Sequence, residues 1–448
     1  MAEETMPYGP TPTLQQLRWQ QMEMYAFLHF SINTYTDQEW GFGNEDASLF
    51  NPTDLDVKQW VTTCKNAGMK GIILTAKHHC GFCLWPSAYT DYSVKNSPWK
   101  DGKGDVVREL SDECHRQGLK FGVYLSPWDR HHPQYGHKEY ITYFRNQLHE
   151  LLTNYGDIFE VWFDGANGGD GWYGGANEKR KIDRTTYYEW AETYRLVRQW
   201  QPDICIWNDG GDRADLRWVG TEAGYVGETN WSLLDSLGQV GLDMLHHGKE
   251  NGNKWVPGEV DTSIRPGWFY HTNEDSKVKS VDTLLETYYK SVGRNANLLL
   301  NFPIMPNGRI NAIDSLNAAQ FYHTLQKTFA INLAEKAKVK TEFPKENADN
   351  NGSVTLLKFN KSTSFNRVLI QEDIAKGQRV QQFSIEALVD GKWQTLDDQL
   401  SQQPASLTTI GYKRIICFPQ VSASQLRITV IRAKAKPIIN TIGVFLAP

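Results

Sequence analysis

The chain has 448 residues, which is long for a single compact domain, so we expect two domains or one large barrel with an appended domain. Its formal net charge of -5 and its lack of a long basic run argue against a nucleic-acid or anionic-lipid partner. A neutral or polar small substrate fits better. The 16 Trp and 20 Tyr residues would suit carbohydrate binding, although a large core accounts for most of them.

No apolar run is long enough to span a membrane, so we predict no membrane-spanning segment. The first residues are acidic, whereas a secretory signal would be basic and then apolar. The six cysteines are scattered along the chain and show no disulfide-framework spacing, so they do not indicate a compartment.

From residue 24 to about 330, short β-rich runs alternate with segments of helical periodicity. This pattern predicts a parallel sheet with crossover helices. Candidate helices cover 55–67, with Thr53 as an N-cap, and 106–117, 139–154, 187–200 and 281–294. Candidate strands lie at 24–32, 71–76, 120–126, 159–163, 203–207, 217–220, 261–269 and 297–302. Eight strands with intervening helices predict an α/β fold, a (β/α)₈-like TIM barrel, over residues 1–335.

The pattern changes after about residue 335. Apolar and polar residues alternate between Gly and Asn turns, and no long helical pattern interrupts them. We therefore predict a C-terminal all-β sandwich domain over residues 336–448, joined to the barrel by a stretch rich in Lys, Glu, Pro and Asn.

Polar side chains follow nearly every predicted barrel strand. In a (β/α)₈ barrel the active site is built at the C-terminal strand ends. One polar residue at such an end is usually a turn or cap, but the same coincidence repeated around one mouth points to an enzyme. The residues concerned are His29, His78, His79, Trp85, Trp128, Asp129, Asp164, Asn208, Asp209, Glu222, Glu259, Asp261, Arg265 and Trp268.

Two of these carboxylates form a candidate catalytic pair. Asp164 follows the fourth predicted strand and Glu222 the sixth, so they would face each other across the barrel mouth. Two carboxylates among tryptophans, without a basic phosphate clamp, match glycoside hydrolysis. In that reaction one acid protonates the leaving oxygen while the other carboxylate attacks or activates water.

The histidines offer a competing interpretation as metal ligands. His78, His79, Cys80 and Cys83 carry N and S donors, and further His pairs lie at 131–132 and 246–247. Adjacent strand residues point to opposite faces, however, and no second Cys-x-x-Cys completes a zinc site. Hydrogen bonds from histidine to sugar hydroxyls are favoured over a metal. We predict no metal and no cofactor, and no phosphate-binding glycine loop is present.

Six separated segments, in order, resemble glycoside hydrolase family 29, the retaining α-L-fucosidases, and the resemblance extends over the barrel and the appended sandwich. The last three look most like the subfamily that acts on α-1,3/4-linked fucose in Lewis-type glycans, rather than the broader subfamily that accepts aryl fucosides. The segments are HFSINTYTDQEWGFG, LTAKHHCGFCLW, GVYLSPWDRH, VWFDGA, ICIWNDGGDRADLRWVGTEAG and VDTSIRPGWFYH.

The resemblance implies catalytic roles by position. Asp164, in VWFDGA, takes the family's nucleophile position, and Glu222, in WVGTEAG, takes the general acid/base position. The residue before that glutamate is commonly Asn in the motif and is Thr221 here. The implied fucose pocket consists of His29, Glu39, Trp40, His78, His79, Trp85, Tyr124, Trp128, Arg265 and Trp268, with Trp268 a candidate for packing on the sugar's methyl group.

The resemblance predicts a retaining exo-α-L-fucosidase whose partner is a fucosylated oligosaccharide or glycoconjugate. It leaves open a broader-specificity fucosidase, a metal-dependent barrel hydrolase, and a sugar-binding protein without catalysis. The glycine-rich stretch 168–184 either lines sites for sugars beyond fucose or is a mobile surface loop. For a glycan-degrading enzyme we expect a periplasmic or secreted location, with the leader already removed.

Overall fold

A computed structural model describes residues 6–210, 213–345, 350–402 and 407–448. Its larger sheet has eight parallel strands, the number expected from the sequence, in the spatial order β7-β4-β3-β2-β1-β12-β11-β8. The strands are β1 (Met24–His29), β2 (Gly71–Lys77), β3 (Lys120–Leu125), β4 (Ile158–Phe163), β7 (Cys205–Asn208), β8 (Arg217–Trp218), β11 (Gly258–Ser263) and β12 (Ala296–Pro303). Two short antiparallel strand pairs lie outside this sheet: β5 (Gly168–Gly171) with β6 (Glu178–Lys181), and β9 (Leu233–Leu234) with β10 (Lys254–Trp255).

The two edge strands of this sheet, β7 and β8, come together and nearly close a barrel. The backbone N–H groups of Asp215 and Leu216 donate to the Ile206 carbonyl at 3.0 and 3.3 Å. The seventh barrel strand was predicted to run to residue 269 but ends at Ser263. Pro266 lacks the N–H that a ladder needs, so the chain turns away there. The predicted TIM-like class is confirmed, with one short strand at the seam.

Eight α-helices accompany these strands among the residues that the structure describes. They are α1 (Leu14–Met22), α2 (Val57–Asn66), α3 (Val106–Gln117), α4 (Glu139–Asn154), α5 (Trp190–Trp200), α6 (Leu242–His247), α7 (Val281–Ser291) and α8 (Ala312–Thr328). The cap of α2 is Asp56, whose Oδ1 accepts from the Gln59 N–H at 3.0 Å, so the Thr53 prediction was wrong. The ranges of α2, α3, α4, α5 and α7 lie close to the predicted ones, whereas α1, α6 and α8 were not predicted. No described helix is both long and apolar enough to cross a membrane.

The C-terminal part is an antiparallel sheet, as expected for an all-β domain. Its two longest strands bend and shift register, so that the two ends of the sheet share one core that includes Leu357, Val368, Phe418 and Ile428. The strands are β13 (Lys338–Glu342), β14 (Ser353–Glu372), β15 (Val380–Val389), β16 (Lys392–Thr395), β17 (Leu407–Thr408), β18 (Arg414–Ala433) and β19 (Ile439–Phe445).

This sheet packs on the barrel through both backbone and apolar contacts. The Ile415 N–H donates to the Gly293 carbonyl at 2.9 Å, and Phe445 and Cys417 join the barrel's core cluster. The predicted boundary at residues 335 and 336 lies between α8 and β13, and it stays a prediction. These contacts fit the packing role for the domain, and they fasten the outside of the barrel rather than its mouth.

Candidate active site

A cavity of about 1250 Å³ opens at the C-terminal ends of the barrel strands. This is the face where barrel enzymes build their sites. The volume exceeds the roughly 300–1,000 Å³ typical of small-molecule pockets, so the cavity has room for more than one sugar ring. The predicted site residues that line it are His29, Glu39, Trp40, His78, His79, Tyr124, Trp128, Asp164, Glu222 and Trp268.

Two predicted sugar contacts, Trp85 and Arg265, do not line this cavity. The Trp85 indole N–H donates to Glu150 at 3.0 Å inside the core. The Arg265 guanidinium is bound to Asp314 of α8, at 2.8 Å, and to Asp275, at 2.7 Å. Both side chains are committed to structural contacts, so we correct their assignment. Because α8 was not predicted, the acid that pairs with Arg265 could not be identified from sequence patterns.

Asp164 is the first residue after β4, and the chain turns sharply behind it. Gly165 has φ of +82°, a conformation that favours glycine. The Tyr124 hydroxyl donates to Asp164 Oδ2 at 2.9 Å. Burial raises the pKa of Asp164 to about 7, with the negative charges of Asp209 and Glu222 adding to the effect. The carboxylate is therefore held at a fixed position and stays poised between its two protonation states near neutral pH.

Asp209 supports that turn from the end of the neighbouring strand β7. Its two carboxylate oxygens accept from the backbone N–H groups of Gly165 and Ala166 at 3.3 and 3.4 Å. Burial raises the pKa of Asp209 to about 6, while these hydrogen bonds oppose the rise. Asp209 was noted from the sequence only as a polar strand end, and the structure gives it a positioning role behind Asp164.

We expect Asp209→Asn to move the acid limb of the kcat/KM profile to lower pH. The Asp209 charge disfavours ionisation of Asp164, and removing that charge lowers the pKa of Asp164. If Asp164 must be ionised to react, activity then persists to lower pH. The test is a pH series of kcat/KM beside Asp112→Asn, an exposed carboxylate on α3. A limb that stays in place or moves to higher pH would contradict this coupling.

Glu222 reaches the cavity from the exposed loop after β8. The Trp268 indole N–H lies 3.2 Å from Glu222 Oε2. Thr221, where the family motif commonly has Asn, accepts the Ala223 N–H on its hydroxyl at 3.2 Å. Asn side chains make the same two-residue turn, so the substitution preserves the local geometry. Glu222 and Asp164 thus approach one cavity from β8 and β4.

His29 is fixed as one tautomer by Asn301 on β12. The Asn301 amide nitrogen donates to the Trp268 carbonyl at 2.8 Å and to Ser263 Oγ at 2.9 Å. A carbonyl can only accept, so the amide oxygen must be the atom that faces His29 Nδ1, at 2.8 Å. His29 therefore carries its proton on Nδ1. Burial lowers the pKa of His29 to about 3, which keeps the ring neutral and leaves Nε2 as an acceptor.

His79 is oriented in the same way by Ser126. The Ser126 hydroxyl donates to the Trp128 carbonyl at 2.7 Å, so its oxygen accepts from His79 Nδ1, also at 2.7 Å. Burial lowers the pKa of His79 to about 3, and the pKa of His78 is lowered as well.

Within the described residues, no group of 3 or more His, Cys, Asp or Glu side chains could hold a metal ion. Neutral imidazoles with open acceptors suit sugar hydroxyl donors.

We expect Asn301→Leu to raise KM for a fucoside by up to roughly tenfold, the scale of one net hydrogen bond, with a smaller change in kcat. The change frees His29 to rotate and to exchange tautomers. The matched control is Asn297→Leu on the same strand, which removes a buried amide bonded to the Trp19 carbonyl away from the cavity. Histidine ¹⁵N NMR would report the tautomer. Equal KM changes in both variants would refute a specific role for Asn301.

Aromatic rings form the walls and floor of the cavity. Trp162 and Trp207 stack with ring centroids 3.5 Å apart, and Phe27 packs edge-on against Trp162. Trp40 stands at the mouth, 56 % exposed, edge-on to Trp128. Flat apolar faces beside polar acceptors match the two kinds of surface that a deoxy sugar presents.

Glu39 fixes one side of this mouth. Its carboxylate accepts from the backbone N–H groups of Trp268 and Phe269 at 2.6 and 2.9 Å. It also lies 2.8 Å from His271 Nε2. Glu39 therefore holds Trp268 in place and at the same time lines the cavity. Its predicted contact with the sugar stays a prediction.

The glycine-rich stretch after Asp164 folds into the β5–β6 hairpin, whose residues Gly169, Asp170 and Lys179 line the cavity. The Arg130 guanidinium donates to the Asp170 carbonyl at 2.7 Å. The Tyr173 hydroxyl donates to the Gly169 carbonyl at 2.7 Å and lies 2.8 Å from the Trp128 indole nitrogen. This stretch therefore forms part of the cavity wall, and its contact with sugars beyond fucose stays a prediction.

Asn301 and Ser126 were missed as site residues. Asn301 and Asn297 are the two polar residues in the predicted strand 297–302. A polar side chain inside a buried strand indicates a hydrogen-bonding role, so Asn301 could have been identified. Ser126 could not be recognised from its pattern, because it ends the predicted strand 120–126 and a serine at a strand end is usually a turn residue.

The fold and site together define a barrel glycoside hydrolase, with two carboxylates and neutral histidines in an aromatic cavity. The family described as alpha-L-fucosidase matches residues 11–321. Alpha-L-fucosidase 1 of Arabidopsis thaliana is 40 % identical over 98 % of this chain and 88 % of its own length. The chain therefore belongs to the α-L-fucosidases of glycoside hydrolase family 29, whose general mechanism is retaining.

Solved structures agree with this placement. A family 29 glycoside hydrolase from an unknown rumen bacterium is 65 % identical, with a TM-score of 0.95, covering 99 % of this chain and 78 % of that one. A family 29 fucosidase of Ruminococcus gnavus in complex with fucose is 31 % identical, with a TM-score of 0.85, covering 100 % of this chain and 97 % of that one. The chain is a glycoside hydrolase of the α-L-fucosidase class.

Proposed function

We propose that this enzyme releases L-fucose from the α-1,3 and α-1,4 linkages of Lewis-type glycans, with Asp164 as nucleophile and Glu222 as general acid/base. The observation that carries the proposal is the presence of both carboxylates in one cavity, approached from β4 and β8. Tyr124 and the Asp209-supported turn fix the first carboxylate, while the second sits on an exposed loop near solvent.

The reaction has two displacements. Asp164 attacks the anomeric carbon as the glycosidic C–O bond breaks, and Glu222 gives its proton to the departing oxygen. Water then attacks the same carbon and gives a proton back to Glu222. The ester bond to Asp164 breaks and L-fucose leaves with its configuration retained. This chemistry requires Asp164 ionised and Glu222 protonated at the start.

The cavity supplies complementary surfaces for fucose. His29 and His79 present imidazole acceptors to sugar hydroxyls, because Asn301 and Ser126 occupy their Nδ1 atoms. His78, Trp40 and Trp128 surround the same space, and Trp268 packs on the methyl group in our proposal.

The linkage proposal rests on the resemblance and on space beyond the fucose seat. In a Lewis-type glycan the sugar that carries fucose is also substituted at its neighbouring position, so the leaving group is branched. A cavity of about 1250 Å³ with a hairpin wall at 168–181 offers room for such a branch. The alternative, a fucosidase of broader linkage specificity, uses the same catalytic pair.

The test is release of L-fucose from Lewis-type trisaccharides, from fucosyl-α-1,2-galactose and from an aryl fucoside. We expect kcat/KM to be highest for the Lewis trisaccharides, because only these carry the branched leaving group that the cavity has room for. Cleavage of fucosyl-α-1,2-galactose alone would overturn the linkage proposal and leave the fucosidase class intact. Comparable rates on all three would favour the broader-specificity alternative.

We also propose a periplasmic or secreted location, since fucosylated glycans of this kind lie outside the cell. Fractionation of the source organism, followed by detection of this chain, would test it. Recovery with the cytoplasmic fraction would overturn the location without affecting the catalytic proposal.

A further inference from the structure

Asp261 is a third carboxyl group at the catalytic cavity, and the two-step reaction gives it no role. It lies on β11, between Glu259 and Ser263 on the inward face of the barrel, and it lines the cavity floor. Its side chain is 4 % exposed, and no described residue bonds to its buried Oδ1 atom. A buried carboxyl oxygen without a partner costs stability, and such groups are retained where a ligand satisfies them.

Three carboxylates act on Asp261. They are Glu222 from the loop after β8, Glu259 from the same strand and Asp164 after β4. The cation on the neighbouring strand β8, Arg217, donates from its guanidinium to the carbonyls of Trp231 and Val256. Burial first, then these carboxylates, raises the pKa of Asp261 well above its usual value.

We propose that Asp261 is a substrate-binding residue that acts as a neutral carboxylic acid, donating a hydrogen bond to a hydroxyl oxygen of the bound sugar. This inference rests on the proposed function only in that fucose occupies the floor of the same cavity. The histidines offer acceptors and Asp261 offers a donor, so the pocket satisfies sugar hydroxyls in both directions. Its neutrality also spares Asp164 a further like charge, which would hinder ionisation of the nucleophile.

The first test is binding of L-fucose by calorimetry, which needs no turnover. We expect Asp261→Leu to weaken binding by roughly tenfold, the scale of one net hydrogen bond in the site. We expect Asp261→Asn to weaken it by less, because an amide keeps one donor and one acceptor at the same place. If Asn weakens binding as much as Leu, the ionised form is the one that binds. If Leu has no effect, Asp261 does not touch the sugar.

Thermal unfolding of the ligand-free variants separates binding from a structural role. Asp261→Leu replaces a buried carboxyl, whose Oδ1 atom has no partner among the described residues, with an apolar group, so we expect its Tm to equal or exceed that of the wild type. A residue kept for packing would instead lower the Tm, and that result would overturn the proposal. Asp112→Asn, which changes an exposed carboxylate on α3, is the control for effects of mutagenesis and purification on the Tm.

Infrared difference spectroscopy tests the protonation state directly. Adding L-fucose to the wild type near neutral pH should shift a carboxylic-acid C=O band that is missing from Asp261→Asn. A fucose-induced change confined to carboxylate bands would overturn the neutral form. Failure of the linkage proposal would leave all three results unchanged, because free L-fucose is the only ligand used.

Discussion

Asp164→Gly should lower kcat by roughly 10⁴-fold or more on every fucoside, the scale seen when a member of a covalent catalytic set is removed. The reason is that the described neighbours of Asp164 cannot replace its carboxylate as the nucleophile. Asp209 is engaged with the Gly165 and Ala166 N–H groups, and Tyr124 donates to Asp164 rather than facing the sugar as a base. The measurement is steady-state fucose release, with the fold checked by circular dichroism.

Azide gives this prediction a stereochemical readout. Glycine leaves a space where the carboxylate stood, and azide entering it displaces the leaving group in a single step. One displacement inverts the configuration, so the product should be the fucosyl azide of opposite configuration to the substrate. Rescue with retained configuration would show that Asp164 is not the nucleophile.

The barrel could be predicted from the sequence because its strands are short apolar runs with clear breaks between them. Strands such as Gly71–Lys77 are buried on both faces and therefore read as continuous hydrophobic segments. The seventh strand was misplaced since its apolar residues continue past Ser263 into a turn that Pro266 enforces. Helix α8 was missed, and with it the acid that pairs with Arg265.

The sequence predicts which residues share the cavity, because these residues follow successive strands along the chain. The C-terminal ends of the strands in a parallel barrel lie around one mouth, so Asp164, His79 and Glu222 were predicted to share it. The distances between them could not be predicted. The hydrogen-bond partners that orient these side chains come from strands that are remote in the sequence. Asn301 behind His29 is separated from it by 272 residues, a pairing that no local pattern encodes. Roles that depend on such partners emerge only from the fold.

Glu222→Ala should slow hydrolysis of Lewis-type glycans by roughly 10²–10⁴-fold, the usual contribution of general acid–base catalysis. The loss should depend on the leaving group. A sugar alcohol needs the Glu222 proton to depart, whereas an activated aryl group departs without it. Fucosyl transfer to Asp164 then stays fast for the aryl fucoside, and hydrolysis of the ester becomes limiting because the water lacks its base. We expect a burst of aryl alcohol followed by slow turnover.

Azide distinguishes this variant from the first. It needs no general base, so in Glu222→Ala it should attack the fucosyl-enzyme directly and accelerate turnover of the aryl fucoside. Two displacements have then occurred, and the fucosyl azide should keep the configuration of the substrate. Glu259→Gln is not a suitable control, since Glu259 is buried against Tyr25 and Trp162, so Glu178→Gln on the exposed strand β6 is used instead. Opposite configurations from the two azide reactions would assign one carboxylate to each step. The same configuration from both would require a different assignment of the pair.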